Sequence, residues 1–415
     1  MKNLSNRNQE NKYICFAKDQ RIRTQDAFAL LFTFTLFLFA PGGVKAQENP
    51  IIIGLNADMS TADAESGQSI KLGAMAAIEQ INAQGGVLGR NLSLKILDHR
   101  RNPARGKINM QTFGRNPDVI AVLGGKHTPV VLAELETVHE LKIPYLIPWA
   151  AGTTIIENGF TPNYVFRVSV RDEYAGGFLA RYAARQGLVR PGLVLEQTGW
   201  GRSNEKSLVN AFDQLGITPA WVEWFNWGES CFMSSLERLH RAGADSFIFV
   251  GNSPDGVSFI RSILQHPESM KTPIISHWGI AGGDFEEILG ADLDRVNLAF
   301  LQTFSFFDPP FPERAQTVFE LLQKVSPDIA SVRDIKAPTG VAHAYDLVHI
   351  LSKAINLAGI SRREDVREAL ENVPPYHGLM RDYKPAFTPQ NHDALDADDF
   401  RMARFVQGII KPIKD

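Results

Sequence analysis

The sequence has very little cysteine. Only two of its 415 residues are cysteines, Cys15 and Cys231. Cys15 lies in the N-terminal leader described below, so Cys231 is alone in the rest of the chain and cannot form an internal disulfide bond. A lone thiol could act as a nucleophile, but Cys231 opens an amphipathic helical pattern. We therefore expect it to pack as an ordinary small apolar side chain.

The sequence also lacks the common signatures of enzymes. It contains no G-x-S-x-G elbow, no H-E-x-x-H motif and no Walker loop. Its ten histidines are scattered, and His343 and His349 are six residues apart on a predicted helix, which places them on different faces. We therefore predict no catalytic residues, no metal site and no cofactor.

Charge is distributed unevenly along the chain. Residues 1–46 contain seven Lys or Arg residues against three acidic residues, a net charge of +4. Because the whole chain has a net charge of −3, residues 47–415 carry −7. A chain with this charge is a poor partner for nucleic acid, and we predict no such partner.

The basic leader precedes a short apolar run at residues 27–40, and Val44 and Ala46 then place small residues at the −3 and −1 positions. This pattern predicts a secretory signal peptide that is cleaved after Ala46. A membrane anchor is the alternative, but an apolar run of 14 residues is too short to span a bilayer comfortably. No cysteine follows the run at the cleavage site, so we do not predict a lipoprotein anchor.

Apolar runs alternate with amphipathic helical patterns along most of the chain. Within residues 121–154, an apolar run ends at Gly124-Gly125, a helix begins at Thr128, and a second apolar run ends before Ala150-Ala151-Gly152. Further strands are predicted at 51–55, 92–96, 164–168, 193–196, 220–225, 247–250, 273–276 and 296–303. The alternation predicts an α/β protein with mainly parallel sheets, and the length indicates two domains. The tail from residue 373 is rich in proline and has no strong period.

Candidate binding residues follow the predicted strands. Open α/β sheets bind ligands in the loops at the carboxyl ends of their strands. In the first strand series these loops carry Lys126, His127, Thr128, Ala150, Ala151 and Thr153, and in the second they carry Trp200, Asn252, Ser253, His277 and Trp278. Polar groups of one series could meet aromatic walls of the other across a cleft. The alternative is that the tryptophans, including Trp149, only anchor their loops.

Three blocks of the sequence resemble a known family. They are GQSIKLGAMAAIEQINAQGGVLGRNLSLKILD, which begins at Gly67, IPYLIPWAAGT and YVFRVSVRDEYAGGFLA. They are similar to periplasmic substrate-binding proteins of ABC transporters, of the leucine/isoleucine/valine-binding type. The resemblance implies a type I periplasmic-binding-protein fold, in which two α/β lobes joined by three crossover segments close on a ligand. It places the first lobe at 47–167 plus 301–373 and the second at 168–300 plus 374–415.

The resemblance also implies roles for several residues. A hydroxyl-bearing loop and an Ala-Thr loop hold the α-carboxylate and α-ammonium of the ligand in this family. They correspond here to Lys126, His127 and Thr128, and to Ala150, Ala151 and Thr153. An aromatic residue before glycine, which packs on the ligand, corresponds to Trp200, whereas another aromatic position of the family is occupied by Ser66.

The chain departs from the family pattern at Trp278. Amino-acid binders of the family carry a glutamate there, which pairs with the ligand ammonium. A buried ammonium without a carboxylate partner is unfavourable. Asp284 or Glu65 could substitute, but neither lies at the matching position. Lys126 and His127 further suggest an anion at the other end. One hypothesis is therefore a carboxylate ligand without an α-ammonium, such as an aromatic acid stacked between Trp200 and Trp278.

We therefore expect an exported, periplasmic and monomeric protein that binds a small amino acid or carboxylate and delivers it to an ABC permease. A ligand sensor of the same fold, acting on a membrane receptor or kinase, is the main alternative. An exported enzyme that uses Cys231 or a histidine is a further alternative, but the sequence shows no set of nucleophile, base and orienting residue.

Overall fold

The computed structural model describes residues 49–413. The predicted signal peptide, its cleavage site at Ala46 and Cys15 lie outside the described residues. Gln47–Asp415 form one compact unit. The two lobes and their boundaries therefore stay a prediction.

The first strand series builds a parallel sheet. In chain order its elements are β1 (Ile51–Ala57), α1 (Glu65–Ala83), β2 (Leu92–Asp98), α2 (Pro103–Gly114), β3 (Val119–Leu123), α3 (Thr128–Glu140), β4 (Tyr145–Ile147) and β5 (Val165–Arg167). The strands pair in the order β2-β1-β3-β4-β5, and every pairing is parallel. Strands β3 and β4 are apolar and wholly buried, as expected for a sheet covered on both faces.

The second series builds a larger sheet. Its elements are α4 (Asp172–Arg185), β6 (Pro191–Glu196), α5 (Gly199–Gln214), β7 (Trp221–Phe225), α6 (Met233–Arg241), β8 (Ser246–Val250), α7 (Ser253–Gln265), β9 (Ile274–Ser276), α8 (Phe285–Leu289) and β10 (Leu298–Gln302). Strands β6 to β10 pair in parallel. The carboxyl ends of all these strands therefore meet at one edge of the sheet.

The last part of the chain contributes helices that pack on α1 and strands that extend the second sheet. Its elements are α9 (Pro312–Val325), α10 (Pro338–Ala358), α11 (Arg363–Leu370), β11 (Tyr376–His377), β12 (Asp382–Tyr383), β13 (Arg401–Val406) and β14 (Ile409–Pro412). Helix α10 packs against α1, where a Cβ at Gly73 would lie 2.1 Å from the carbonyl oxygen of Val341. Only glycine permits this approach of the two helices. Strands β13 and β14 extend the second sheet, whose order is β14-β13-β10-β9-β8-β6-β7, as an antiparallel hairpin.

The predicted fold class is confirmed, with two corrections of detail. The sequence analysis missed α2, α8 and the strands of the tail. The expectation that Cys231 packs in the interior is wrong, because this cysteine is exposed. It precedes α6, and the neighbouring Phe232 takes the buried position. None of the helices in residues 49–413 is long and apolar enough to cross a membrane.

Candidate functional site

The predicted site residues are gathered between the carboxyl ends of the two sheets. The structure buries all of them except Thr153, which is half-buried. The buried ones are Ser66, Lys126, His127, Thr128, Ala150, Ala151, Trp200, Asn252, Ser253 and Trp278. Polar side chains from loops of both sheets are thus removed from solvent at a single seam.

One half of this seam is aromatic. Trp149 follows β4 of the first sheet, Trp278 follows β9 of the second, and their ring centroids are 5.3 Å apart. Trp200, at the start of α5, packs edge-on against His277 with a centroid distance of 5.1 Å. Contacts between aromatic rings therefore join the loops of the two sheets. In the described structure Trp278 packs on Trp149, whereas the sequence had suggested a partnership with Trp200 across a ligand.

Asp172 places a carboxylate in this aromatic half. It is the first residue of α4, it is fully buried, and its backbone N–H donates to the carbonyl of Ala151 over 2.9 Å. Its Oδ1 accepts a hydrogen bond of 3.1 Å from Nε1 of Trp200. Its Oδ2 has no hydrogen-bond partner among the described residues. A buried carboxylate oxygen without a partner marks a place where a donor could bind.

His277 faces the same carboxylate. The backbone N–H of Trp278 donates to Nδ1 of His277 over 2.9 Å, which assigns the ring proton to Nε2. This Nε2 lies 3.3 Å from Oδ1 of Asp172, but its orientation leaves it without a hydrogen bond in the described part of the chain. Nε1 of Trp149 is likewise buried and unpaired there. The aromatic half thus offers two N–H donors and one carboxylate acceptor.

A buried ion pair holds the loop that contains Ala150 and Ala151. Arg167, at the end of β5, donates from Nη1 to the carbonyl of Gly152 over 2.9 Å and to that of Ala150 over 3.4 Å. Its Nε donates to Asp393 of the tail, and both side chains are almost completely buried. The backbone N–H of Gly152 donates to Oγ1 of Thr128 over 3.3 Å. The tail residue Asp393 therefore fixes the loop through Arg167.

The other half of the seam is charged. Asp63, in the loop after β1, accepts hydrogen bonds from Nζ of Lys126 over 2.7 Å and from Nε2 of His127 over 3.2 Å. Nη1 of Arg101, in the loop after β2, lies 3.6 Å from the same carboxylate. Burial opposes the ionisation of Asp63, but Lys126, His127 and Arg101 outweigh it and hold its pKa well below the usual range. Burial lowers the pKa of His127, although Asp63 opposes this effect.

Loops of the second sheet face this group. The guanidinium of Arg101 lies 4.6 Å from the ring centroid of Trp227, a cation–π contact between the loops of the two sheets. Glu196 accepts from Nε1 of Trp227 over 2.9 Å and from Nδ2 of Asn252 over 3.1 Å, and burial raises the pKa of Glu196 to about 7. Oδ1 of Asp255 accepts from the backbone of Gly228 over 2.7 Å, and burial raises the pKa of Asp255.

The remaining predicted residues have structural partners. Ser66 donates to the carbonyl of Asp63, and Thr153 accepts from the backbone N–H of Glu173. Ser253 opens α7. Lys126 donates to Asp63 and, over 3.4 Å, to the carbonyl of Gly282, so its charge is already compensated. An anion that depends on Lys126 alone would have to compete with Asp63.

The sequence analysis missed several residues of the seam. They are Asp63, Arg101, Asp172, Glu196, Trp227 and Asp255. Glu65 and Asp284, the two substitutes considered for the missing carboxylate, lie close to each other, and burial together with Asp284 raises the pKa of Glu65. Most of the missed residues lie in or next to loops that follow strands, so a search of every strand end for charged residues would have found the acidic and basic ones as candidates. In residues 49–413 no group of three or more His, Cys, Asp or Glu residues is placed to hold a metal ion.

A sequence profile of the periplasmic binding protein family matches residues 50–408. The chain therefore belongs to this family. A relative from Brucella abortus (strain 2308), named Leu/Ile/Val-binding protein homolog 2, is 25% identical over 350 residues, which cover 83% of this chain and 88% of the relative.

Solved structures of substrate-binding proteins share the fold. The branched-chain amino acid binding protein LivJ from Streptococcus pneumoniae, in complex with isoleucine, matches with a TM-score of 0.74 at 18% identity, over 88% of this chain and 100% of that chain. A solute-binding protein of an ABC transporter from R. palustris, in complex with 4-hydroxybenzoate, matches with a TM-score of 0.74 at 18% identity, over 88% and 96% of the two chains. The predicted type I periplasmic-binding fold is thereby confirmed.

Proposed function

We propose that this protein is the extracytoplasmic solute-binding protein of an ABC transporter, which closes on a small amino acid or carboxylate and delivers it to a membrane permease. One observation carries the proposal. Asp172 Oδ2, His277 Nε2 and Trp149 Nε1 are buried at the seam and lack hydrogen-bond partners among residues 49–413. Buried polar groups are almost always paired in folded proteins. These atoms, which come from both sides of the seam, fit the contacts of a ligand held between them.

The polar end of the ligand would lie beside the loop that contains Ala150 and Ala151. Isoleucine and 4-hydroxybenzoate, the ligands of the two structural relatives, are both carboxylates. The hypothesis of a ligand without an ammonium assumed that Trp278 leaves no carboxylate nearby. Asp172 supplies one from α4, hydrogen-bonded to Trp200 and 3.3 Å from His277. An ammonium or hydroxyl of the ligand would therefore have an acceptor, and amino acids remain candidates alongside aromatic acids.

Closure of the two halves would give the binding its strength. When water leaves the seam, hydrogen bonds to the ligand act in a medium of low dielectric constant and become stronger. The ligand then stabilises the closed form, which offers the permease a shape to recognise. Hinge closure of this kind is a general property of two-lobed binding proteins. The proposal includes export to the periplasm with cleavage near Ala46, a monomeric state and the absence of catalysis.

A sensor that presents the same closed form to a membrane receptor or kinase is the second candidate. The seam serves both roles equally, because ligand-dependent closure is the signal in each case. An enzyme that uses Cys231 is disfavoured because no histidine or carboxylate among residues 49–413 is hydrogen-bonded to this thiol to activate it. It lies just before α6, whereas the proposed site lies between the two sheets.

The chain from Gln47 is expected to gain thermal stability from one chemical class in a screen of amino acids, aliphatic and aromatic acids, amides and polyols. A ligand at a thousand times its dissociation constant stabilises the folded state by about 4 kcal/mol. Asp172→Asn is expected to weaken binding of the active compound by roughly 10- to 100-fold, since a hydrogen bond to a charged group contributes about 1.5–3 kcal/mol. Differential scanning fluorimetry and calorimetric titration measure these effects.

Cys231→Ser is the control for this experiment, because the exposed thiol should contribute nothing to binding. Two results would contradict the proposal. In the first, no class raises the melting temperature of the folded protein. In the second, the active compound binds Asp172→Asn as tightly as the unaltered chain while Cys231→Ser loses binding.

A further inference from the structure

The charged half of the seam is a cluster of charged and polar side chains from both sheets, with its own chemistry. We call it the charged pocket, and it is lined by Asp63, Arg101, Lys126 and His127 from the first sheet and by Glu196, Trp227, Asn252 and Asp255 from the second. Its two sides meet where Arg101 lies over Trp227 and where Lys126 donates to the carbonyl of Gly282. A ligand that lies between the sheets at the aromatic half has this pocket at its other end.

Three buried polar atoms of the charged pocket have no partner. They are Arg101 Nη2, His127 Nδ1 and Asp255 Oδ2, each without a hydrogen bond to any residue that the structure describes. His127 donates from Nε2 to the carboxylate of Asp63, so its Nδ1 is an acceptor. The pocket thus presents one cationic donor and two acceptors that the protein itself does not pair.

The fixed charges largely compensate one another. Asp63 is in contact with Lys126 at 2.7 Å and with Arg101 at 3.6 Å, and both cations also reach the second sheet, Lys126 at the carbonyl of Gly282 and Arg101 at the ring of Trp227. Burial raises the pKa of Asp255, and the nearby Arg101 and Lys126 oppose this effect only in part. An occupant would therefore meet a positive donor on one side and a carboxylate on the other. A neutral group that both accepts and donates hydrogen bonds matches this arrangement.

The backbone also holds Arg101 in an unfavourable conformation. Arg100 and Arg101 have φ angles of 50° and 56°, in the left-handed region that residues with a side chain rarely adopt. Such conformations persist only where the surrounding structure imposes them, and they cluster at functional sites. Here the loop turns the guanidinium of Arg101 toward Asp63 and Trp227.

We infer that the charged pocket receives a neutral polar group of the ligand, such as a carboxamide, and selects against branched-chain aliphatic side chains. This inference rests on the proposed function and names the ligand class for it. An isopropyl group in the pocket would leave Arg101 Nη2, His127 Nδ1 and Asp255 Oδ2 buried without partners, and each unpaired group weakens binding by the cost of its desolvation. Sites built to bond a polar substituent reject the analogue that lacks it.

The test uses pairs of compounds in which an isopropyl group is replaced by a carboxamide of nearly the same shape. The pairs are leucine with asparagine, homoleucine with glutamine, and 4-isopropylbenzoate with 4-carbamoylbenzoate. They are titrated against the chain from Gln47, which forms one compact unit. In each pair that binds, we expect the carboxamide to bind at least tenfold more tightly.

Arg101→Met is expected to reduce that preference at least fivefold. Arg105→Met, which alters an exposed arginine on α2, is the matched control and should leave it unchanged. Asp255→Asn provides a second variant, because asparagine retains the oxygen that accepts from Gly228. It too should reduce the preference.

The outcomes separate the inference from the proposed function. Tighter binding of the isopropyl compounds, or a preference that persists unchanged in Arg101→Met and Asp255→Asn, would overturn the inference and leave the proposed function intact. If the protein is folded and binds no member of any pair, and the wider screen is also flat, both fail together. If the wider screen finds a ligand without a polar group at one end, the inference alone fails.

Discussion

Replacement of Asp393 by alanine is expected to lower the free energy of unfolding by about 3–5 kcal/mol. Arg167 is fully buried, and its Nε donates to Oδ1 of Asp393. The other carboxylate oxygen accepts from Arg171 over 3.2 Å. Removal of Asp393 would leave the guanidinium of Arg167 buried without its counter-charge, and an uncompensated buried charge is among the most destabilising changes in a protein. Urea denaturation followed by circular dichroism measures the effect.

Asp398→Ala is the control, because Asp398 is exposed in the same segment. Its effect should stay within about 0.5 kcal/mol. The double variant Arg167→Met with Asp393→Leu removes both charges and should recover part of the lost stability. If Asp393→Ala and Asp398→Ala unfold at the same urea concentration, the ion pair does not have the role assigned to it.

The same ion pair connects stability with binding. Arg167 also donates to the carbonyls of Ala150 and Gly152, which shape the loop beside Asp172. Asp393 lies in the tail, more than 220 residues from Arg167 in sequence. The tail residue Asp393 therefore helps to hold the loop that follows β4 of the first sheet.

The sequence predicted the elements of the fold that have a strong local period. Strands such as β3 and β8 are continuous apolar runs, and helices such as α10 have a proline at the start and a glycine at the end. Helix α2 was not predicted because it buries only Gly106, Met110 and Phe113. Its weak apolar stripe gives little signal at a helical period.

The hairpin of β13 and β14 was not predicted, although its turn sequence is typical of a hairpin. Its turn is Gln407-Gly408, and both residues have a positive φ, as in a type I′ turn. The flanking residues contain arginine and lysine, because β13 and β14 lie at one end of the second sheet. This composition hid the strand pattern in a tail that also contains several prolines.

The candidate site was predictable only in outline. Loops at strand ends identified Trp200 and Trp278, but the partners of these residues come from distant parts of the chain. Asp172 opens α4, and an acidic residue in the first turn of a helix is usually explained by the helix dipole alone. Its contacts with Trp200 and His277 arise only when α4, the start of α5 and the loop after β9 come together in the folded protein. Pairings of this kind have no local sequence signal.

A glutamic acid buried beside the first sheet is expected to have the second large effect, on the pH dependence of the free energy of unfolding. Glu134 on α3 is fully buried, accepts from the hydroxyl of Tyr145, and accepts from Nδ2 of Asn56 over 2.8 Å. Burial raises its pKa from 4.5 to about 8, although the hydrogen bond from Tyr145 opposes the shift. The carboxyl group is therefore protonated in the folded protein at neutral pH.

The sign of the effect follows from proton binding. Between pH values of about 4.5 and 8 the folded chain keeps the proton of Glu134, whereas the unfolded chain releases it. The free energy of unfolding therefore falls as the pH rises through this range. The titration of Glu134 alone lowers it by about 1.4 kcal/mol for each pH unit. Below this range both states are protonated, and above it both are ionised, so the contribution becomes constant.

Glu134→Gln should remove this part of the pH dependence. Glutamine has the same shape, and its amide can bond both Tyr145 and Asn56 without a titrating proton. We expect the variant and the unaltered chain to have similar stability near pH 5, and the variant to be more stable by about 3 kcal/mol or more near pH 8. Urea unfolding at a series of pH values gives the difference directly. Other buried acids with a raised pKa, such as Glu196, cancel in the comparison because both proteins contain them.

Glu136→Gln is the matched control on the same helix. Glu136 is exposed and pairs with Lys107 on the surface over 3.1 Å, so its loss should have little effect at any pH. Parallel stability curves for Glu134→Gln and the unaltered chain would show that Glu134 ionises normally in the folded state. In that case the interior around Tyr145 would have to contain a compensating positive charge or water. Water would then also reach the segment between β4 and Trp149, which the structure shows as buried.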